Sequence, residues 1–337
     1  MHKVETKMNI TREITCPCEY QYIENDLPNE YDMVMDAVSE HSYPRVPQFA
    51  TVEITNRCNL KCRHCCVLER RAERVDRKIF ESLREWGVNE FEITGGEPLL
   101  SRSFYDIIEY LVSNSSQFRL ISNGTLWNNR HYEVIKSYPK CEVLISLEGP
   151  PDIHDRIRGK GVHNLALATL RKLKSNNIHV GISVCMSRLN IQYLDYLYKL
   201  CCEYEINILK LIPLKTNNLD PSFRQYRLSN DEIHQLNNFK DNYPGLKLEY
   251  EMNAETSTPN LKAQFFGCKM GSISCSIDAN GNMLRCPVSR ESIGNLLSES
   301  PATVWNKLQV DVRTTGKDIR CRQCAWNSRC VGRCQYL

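Results

Sequence analysis

The sequence predicts an α/β fold in which a parallel sheet curls into a partial (β/α)6 barrel, followed by a small cysteine-rich domain. Six β-like runs alternate with amphipathic helical patterns, which is typical of a parallel sheet covered by helices. The chain has 337 residues, enough for one barrel with an appendage. It also carries 17 cysteines, too many for an ordinary reduced protein without metal or redox chemistry.

Short apolar and β-branched runs predict the six strands. They are ATVEIT (50–55), FEIT (91–94), FRLIS (118–122), EVLISL (142–147), HVGISVCM (179–186) and INILKLIPL (206–214). The amphipathic stretches at 76–86 and 162–176 predict helices between them. A helix between two successive strands lets them run parallel, and such crossover connections are right-handed. In a barrel of this kind the active site lies on the loops that follow the carboxyl ends of the strands.

The chain divides into four predicted segments. They are an N-terminal arm or cap (1–48), the barrel (49–214), a connecting region (215–267) and a C-terminal domain (268–337). Seven of the 17 cysteines fall in the last 70 residues, together with turn-forming sequences. This composition predicts a loop-rich C-terminal domain organised by metal.

Composition narrows the functional classes. The net charge of +3 is too small to indicate binding to nucleic acid or to an acidic membrane surface. No run reaches the roughly 18 apolar residues of a membrane span, and the start of the chain has no signal-peptide pattern. We therefore expect a cytoplasmic protein without a membrane or nucleic-acid partner. Clustered cysteines in that compartment indicate metal ligands or redox groups.

Three cysteines follow the first predicted strand within eight positions, in the stretch CNLKCRHC. Cys58, Cys62 and Cys65 are one ligand short of a closed zinc site or an ordinary ferredoxin cluster. Three thiolates can hold a [4Fe–4S] cluster and leave one iron open for a ligand. The alternative is a zinc site that takes its fourth ligand from His64 or Cys66.

Four motifs in order resemble those of radical S-adenosylmethionine (SAM) enzymes. Cys-x3-Cys-x2-Cys follows the first strand, TGGEP ends the second, ISNGT ends the third, and ISLEGPPDIHDRIRG (145–159) ends the fourth. The resemblance covers about residues 50–214 and implies a TIM-like radical SAM barrel. The last motif has Glu148 where aspartate is usual, so the resemblance does not assign a role to this side chain.

The resemblance also implies cofactors and their ligands. Cys58, Cys62 and Cys65 would hold a [4Fe–4S] cluster whose open iron binds SAM. Arg158 would pair with the SAM carboxylate, a task suited to a guanidinium fork. The remaining implied SAM-binding residues are Gly95, Gly96, Glu97, Pro98, Ser122, Asn123 and Gly124. The implied chemistry is reductive cleavage of SAM to a 5′-deoxyadenosyl radical. The electron would be supplied by a flavodoxin- or ferredoxin-type donor.

The C-terminal cysteines resemble the SPASM extension of radical SAM enzymes, which carries auxiliary [4Fe–4S] clusters. The resemblance implies that one auxiliary cluster is held by Cys268, Cys275, Cys286 and Cys334, and that a second begins with Cys321, Cys324 and Cys330. The family's final cysteine is missing here, so we expect one or two auxiliary clusters. Cys16 or Cys18 could supply the missing ligand, although an incidental pair is the ordinary interpretation. The alternative to auxiliary clusters is a zinc-stabilised tail that uses the same C-terminal cysteines.

Three further residues have a functional and an ordinary interpretation. Cys185 lies near the end of the fifth strand, where it could donate a hydrogen atom to a substrate radical, although a buried structural cysteine is commoner. Lys210 could meet a substrate acid, although solvated lysines are usual. Asp278 could be a base near an auxiliary cluster, although an aspartate in a turn is commoner.

The sequence therefore predicts a radical SAM oxidoreductase or maturase with two possible substrate classes. The first is a peptide, modified after translation by oxidation, cross-linking or epimerisation, as in natural-product biosynthesis. The alternative is a small molecule such as a sugar or aminocyclitol, which the enzyme would dehydrogenate or epimerise. A third class, a metal-bearing binding protein, would bind iron or zinc without cleaving SAM.

Overall fold

The computed structural model describes the barrel and part of the C-terminal region. The described residues are 14–15, 21–22, 44–67, 75–206, 208–215, 221–229, 231–233, 235–236, 247–250 and 270–314. Among them, no helix has the length and apolar content that crossing a membrane requires.

Twelve strands are present in the described residues, and ten of them form one sheet. They are β1 (Ile14–Thr15), β2 (Gln21–Tyr22), β3 (Phe49–Glu53), β4 (Glu90–Thr94), β5 (Gln117–Ser122), β6 (Cys141–Ser146), β7 (His179–Met186), β8 (Ile208–Pro213), β9 (Lys247–Tyr250), β10 (Ser274–Ile277), β11 (Asn282–Leu284) and β12 (Ser292–Asn295). The sheet order is β12-β11-β10-β3-β4-β5-β6-β7-β8-β9, and every pair from β10 to β9 is parallel. The six predicted strands are β3 to β8.

Helices follow the strands, as the alternating pattern predicts. They are α1 (Arg77–Trp86), α2 (Phe104–Ser113), α3 (Asn129–Lys136), α4 (Pro151–Arg158), α5 (Val162–Ser175), α6 (Leu194–Glu203), α7 (Pro221–Arg224) and α8 (Pro301–Thr314). Asp76 caps α1 by accepting a hydrogen bond from the Lys78 amide, and Gly87 ends it at a φ of 118°. The α1 side chains Ile79, Phe80 and Leu83 are fully buried in the core against the sheet. Burial of such apolar faces is the main force that holds helices on the sheet.

Two strands that are far apart in sheet order meet across the interior, so the sheet is curled. Lys210 of β8 donates from Nζ to Glu92 Oε2 of β4 at 2.6 Å. Four strand spacings separate β4 from β8, and a flat sheet would place them about 19 Å apart. Beside this pair, Arg119 of β5 forms an ion pair with Glu142 of β6. The predicted partial barrel is therefore confirmed, and its interior contains a charged layer.

The C-terminal hairpin continues the barrel sheet, which the sequence did not predict. Strand β10 pairs in parallel with β3, and β11 and β12 follow it in antiparallel order. Helix α8 buries Trp305, whose Nε1 donates to the carbonyl of Pro44 at 2.9 Å and whose ring packs edge-on against Trp86. Strand β10 has the sequence SCSI, which is too short and too polar to stand out as a strand.

Candidate active site

The three-cysteine loop lies at the carboxyl end of β3, and N–H groups point at its sulfurs. The Leu60 amide donates to Cys58 Sγ at 3.4 Å, and Arg158 Nη1 lies 3.9 Å from Cys62 Sγ. Burial raises the pKa of the Cys62 thiol, the Arg158 guanidinium opposes that rise, and the nearby Cys65 and Cys58 thiols add to it. The three thiols therefore lie near one another, with the Arg158 guanidinium beside Cys62.

The two proposed fourth zinc ligands point to other partners. His64 Nε2 lies 3.7 Å from Glu148 Oε1, and burial lowers the pKa of this imidazole well below its usual value. Cys66 Sγ faces the Pro287 carbonyl at 3.9 Å, and burial raises its pKa to about 12.

In the described part of the chain, no three His, Cys, Asp or Glu side chains converge on one point as a single ion requires. Thiolates at three corners of a cluster stand farther apart than the ligands of one ion. The loop supplies three sulfurs with N–H donors beside them and no closed four-ligand set among the described residues. This donor set fits a cluster with one open iron.

Gly95 and Gly96 pack directly against the backbone that leads into the cysteine loop. A Cβ on Gly95 would lie 2.2 Å from the Thr55 carbonyl oxygen, and one on Gly96 would lie 2.2 Å from that of Arg57. The amides of Gly96 and Glu97 donate to these same two carbonyls at 2.7 and 2.8 Å. Only glycine permits this approach, which fixes the strand-end turn against the loop.

Glu97 is fully buried and joins the end of β4 to the end of β5. Its Oε1 accepts from Ser122 Oγ at 2.9 Å, and its Oε2 accepts from the Asn123 amide at 2.8 Å. Burial raises the pKa of Glu97 to about 7, although these hydrogen bonds favour the ionised form. Both Glu97 and Ser122, predicted to contact SAM, are thus engaged within the protein, and the buried Pro98 begins a 3-10 turn after Glu97.

Asn123 connects the third motif to the cysteine loop. Its Nδ2 donates to Asn59 Oδ1 at 3.0 Å and lies 4.0 Å from Cys58 Sγ. Its Oδ1 accepts from the Thr125 amide at 2.9 Å. Gly124 adopts a φ of 78°, and a Cβ there would lie 3.0 Å from the Ala166 Cα of α5. The motif therefore brings an amide side chain to the cluster loop through a turn that requires glycine.

Arg158 and Glu148 form a buried ion pair at the carboxyl end of β6. Arg158 donates from Nε and Nη2 to Glu148 Oε1 at 2.8 and 2.7 Å. The Glu148 side chain is fully buried, and its Oε2 accepts from the Cys185 amide at 2.8 Å. The pairing of Arg158 with the SAM carboxylate remains a prediction, and the structure adds a partner that the motif did not assign.

Cys185 is half-buried on β7 at the mouth of the barrel. The Cys185 carbonyl accepts a hydrogen bond from Asn190 Nδ2 at 3.0 Å. The Cys185 side chain packs on an apolar cluster that includes Ile157 and Phe223. Its role as hydrogen donor stays a prediction. Lys210, by contrast, is 9% exposed and paired with Glu92 inside the barrel, so the interpretation as a solvated lysine is wrong.

Two of the predicted auxiliary ligands lie in the described residues. Cys275 is fully buried on β10, where burial raises its pKa to about 12. Cys286 is half-buried in the turn after β11, and the Val288 amide donates to its sulfur at 3.4 Å. Asp278 accepts hydrogen bonds from the Asn280 and Asn282 amides, as an aspartate in a turn does. The other predicted ligands, Cys268, Cys321, Cys324, Cys330 and Cys334, lie outside the described residues, as do Cys16 and Cys18.

Sequence reasoning missed several residues that hold the site together. His154 Nδ1 accepts from the Glu148 amide at 3.1 Å, and Asn190 Nδ2 donates to the Glu148 carbonyl at 3.0 Å. Arg290 of the C-terminal region donates twice to Glu53 at the end of β3. The spacing of His154 and Arg158, one helical turn apart, was the available signal that both face the same strand end.

Comparisons with known proteins agree with this arrangement. The family model for the radical SAM superfamily matches residues 52–201. The chain is 22% identical to the sporulation killing factor maturation protein SkfB of Bacillus subtilis (strain 168), over 86% of this chain and 70% of that protein. It is 25% identical to the mycofactocin maturase MftC of Mycolicibacterium smegmatis, over 86% of this chain and 78% of that protein.

A solved structure has the same fold. The crystal structure of Streptococcus suis SuiB bound to the precursor peptide SuiA matches with a TM-score of 0.71 at 15% identity, covering 97% of this chain and 80% of that chain. The sequence relatives, the fold and the strand-end motifs all agree with the match of residues 52–201 to the radical SAM superfamily.

Proposed function

We propose that this chain is a maturase that modifies a ribosomally made peptide by radical SAM chemistry. The observation that carries the proposal is that maturation proteins match 86% of the chain, far beyond the barrel core. The match of the fold to SuiB in complex with its precursor peptide supports the same substrate class.

The residues that would hold the cofactors lie on adjacent strand ends. Cys58, Cys62 and Cys65 would bind the [4Fe–4S] cluster, and Asn123 and Arg158 place N–H groups toward two of the sulfurs. When bound, the reduced cluster and SAM supply a 5′-deoxyadenosyl radical that abstracts hydrogen from a substrate carbon. Gly95, Gly96 and Gly124 provide the close backbone packing around the loop.

The proposal includes one or two auxiliary clusters held by C-terminal cysteines. Cys275 on strand β10 and Cys286 in the turn after β11 would be ligands, and the remaining ligands would come from the cysteines beyond residue 314 and from Cys268. Such a cluster offers a path for the electron that a substrate radical loses, which suits oxidation or cross-linking. The external electron donor is a flavodoxin or ferredoxin, in the cytoplasm.

The test is an anaerobic assay of the reconstituted chain with SAM and dithionite. The substrates are synthetic peptides that correspond to short reading frames beside its gene. We expect 5′-deoxyadenosine together with a peptide that has lost two hydrogens or, for epimerisation, has gained solvent deuterium. Turnover of a sugar or aminocyclitol, with no turnover of any peptide tested, would establish the small-molecule alternative. Iron binding without any SAM cleavage would show a binding protein without catalysis.

A further inference from the structure

Glu148 occupies a position that the family motif usually gives to aspartate, and it is one of the most constrained side chains in the barrel. Its carboxylate is fully buried at the carboxyl end of β6. Oε1 accepts two hydrogen bonds from Arg158, and Oε2 accepts one from the Cys185 amide on β7. The side chain therefore spans from its own strand to the next strand and to the end of α4.

The backbone of Glu148 is fixed as firmly as its side chain. The Glu148 amide donates to His154 Nδ1 at 3.1 Å, and the Glu148 carbonyl accepts from Asn190 Nδ2 at 3.0 Å. Both partners are fully buried. Because two side chains hold the backbone and three N–H groups hold the carboxylate, Glu148 has one position relative to the cysteine loop.

This arrangement orients the Arg158 guanidinium. Its Nε and Nη2 atoms are bonded to Glu148, and its Nη1 lies 3.9 Å from Cys62 Sγ. A guanidinium is planar, so fixing one edge fixes the direction of the other. The second edge of Arg158 is directed to the cysteine loop, where an anionic ligand of an open iron would lie.

We propose that Glu148 is a positioning residue for SAM binding, which holds Arg158 so that its Nη1 edge receives the SAM carboxylate beside Cys62. The proposal rests on the proposed function only in taking SAM as the ligand. The length of the glutamate is part of the proposal. An aspartate is one methylene shorter, so from the same strand position it would reach less far toward Arg158 and the Cys185 amide.

The test is a double-mutant cycle on the anaerobically reconstituted full chain. Glu148→Gln, Arg158→Gln and the double variant are compared by equilibrium dialysis of SAM and by the electron paramagnetic resonance spectrum of the reduced cluster with and without SAM. Glu148→Gln should weaken SAM binding roughly tenfold, as expected for one misplaced charge-assisted contact. The double variant should bind SAM no more weakly than Arg158→Gln alone, since Glu148 acts through Arg158.

Glu142→Gln is the matched control. Glu142 also pairs with a barrel arginine, Arg119, but on the interior wall and without contact to the loop. Its variant should keep the wild-type SAM affinity and spectrum. Glu148→Asp retains the negative charge that neutralises Arg158. If Glu148→Gln loses iron, the SAM affinity of Glu148→Asp is compared with that of the wild-type chain instead. Glu148→Asp should also bind SAM more weakly than the wild-type chain.

Two results would overturn the proposal. One is wild-type SAM affinity in Glu148→Gln or Glu148→Asp at full iron content. The other is a double variant whose loss equals the product of the two single losses. Because SAM binding is measured without any peptide, failure to modify a peptide would overturn the proposed function and leave this inference standing.

Discussion

The mouth of the barrel and the C-terminal hairpin both carry cysteines, but they hold them in different environments. Burial raises the pKa of Cys62 in the barrel loop, and the Arg158 guanidinium opposes that rise. Burial raises the pKa of Cys275 on β10 to about 12, opposed by a backbone N–H. Both buried thiols must lose a proton before they bind metal, but the barrel loop has a guanidinium beside its sulfur, whereas the thiol on β10 has only a backbone N–H to oppose the rise.

The largest expected effect separates the two regions by their cysteines. Cys62→Ala should abolish SAM cleavage and lower the iron content by about four atoms per chain, since each [4Fe–4S] cluster contributes four. Cys286→Ala should lower the iron content by a similar amount but leave SAM cleavage without peptide intact. Iron, sulfide and 5′-deoxyadenosine measured on the same samples provide the comparison.

Total iron in the wild-type chain sharpens this result. About twelve atoms would indicate two auxiliary clusters, and about eight would indicate one. About four with zinc present would exclude auxiliary clusters and leave a structural C-terminal region. Loss of SAM cleavage in Cys286→Ala, with only one cluster's iron missing relative to the wild-type chain, would contradict the separation of the two regions.

The second prediction concerns the ion pair that joins the two regions. Arg290→Ala leaves the Glu53 carboxylate, which is 4% exposed, buried without its cation. We expect a loss of about 3 kcal/mol or more in the free energy of unfolding, measured by urea denaturation. The double variant Glu53→Leu, Arg290→Met removes both charges and should recover most of that loss. A double variant as unstable as the single one would show that the pair is not the cause.

The third prediction tests the tight packing at the mouth with two glycines. Gly96→Ala should cost about 3 kcal/mol and weaken SAM binding, because its Cβ would lie 2.2 Å from a backbone oxygen. Gly161 has a positive φ, 82°, unlike Gly96, and nothing lies within 4 Å of its Cβ position. Gly161→Ala should therefore cost only about 1 kcal/mol, from backbone strain alone. Equal losses in urea denaturation would contradict the packing argument.

The smallest effect is a pH dependence from Glu97. Burial raises its pKa to about 7 in the folded chain, from an ordinary value of 4.5. Between these two values the folded state holds a proton that the unfolded state has released, so stability falls as the pH rises. The slope should approach about 1.4 kcal/mol per pH unit and level off above pH 7. Glu97→Gln should remove this slope in urea titrations between about pH 5 and pH 8.

The barrel could be predicted because its signals are local. Each strand is a continuous run, α1 carries its own capping residues, and the cysteine loop follows β3 directly. The contacts of Glu148 were not predictable, since its partners Arg158 and Cys185 come from two different elements brought together by the barrel. The link between Glu53 and Arg290 spans 237 positions in sequence, and no local pattern indicates it.

The C-terminal region was the harder part for the same physical reason. Strand β10 adds to the edge of a sheet that is built more than 200 positions earlier, so its four residues gain their structure from β3. A short strand with two serines has little intrinsic preference, and its conformation depends on the partner strand. The cysteines of the C-terminal region could be recognised by their spacing. The burial of Cys275 in the core could not be predicted from the sequence.

The charged layer inside the barrel restricts the route by which a substrate reaches the site. Lys210 and Glu92 meet across the axis, and Arg119 and Glu142 fill the wall beside them. These paired charges occupy the barrel interior at that depth, between the strand-end face, where the cysteine loop lies, and the opposite face. A substrate would therefore approach the cysteine loop from the face that carries the strand ends.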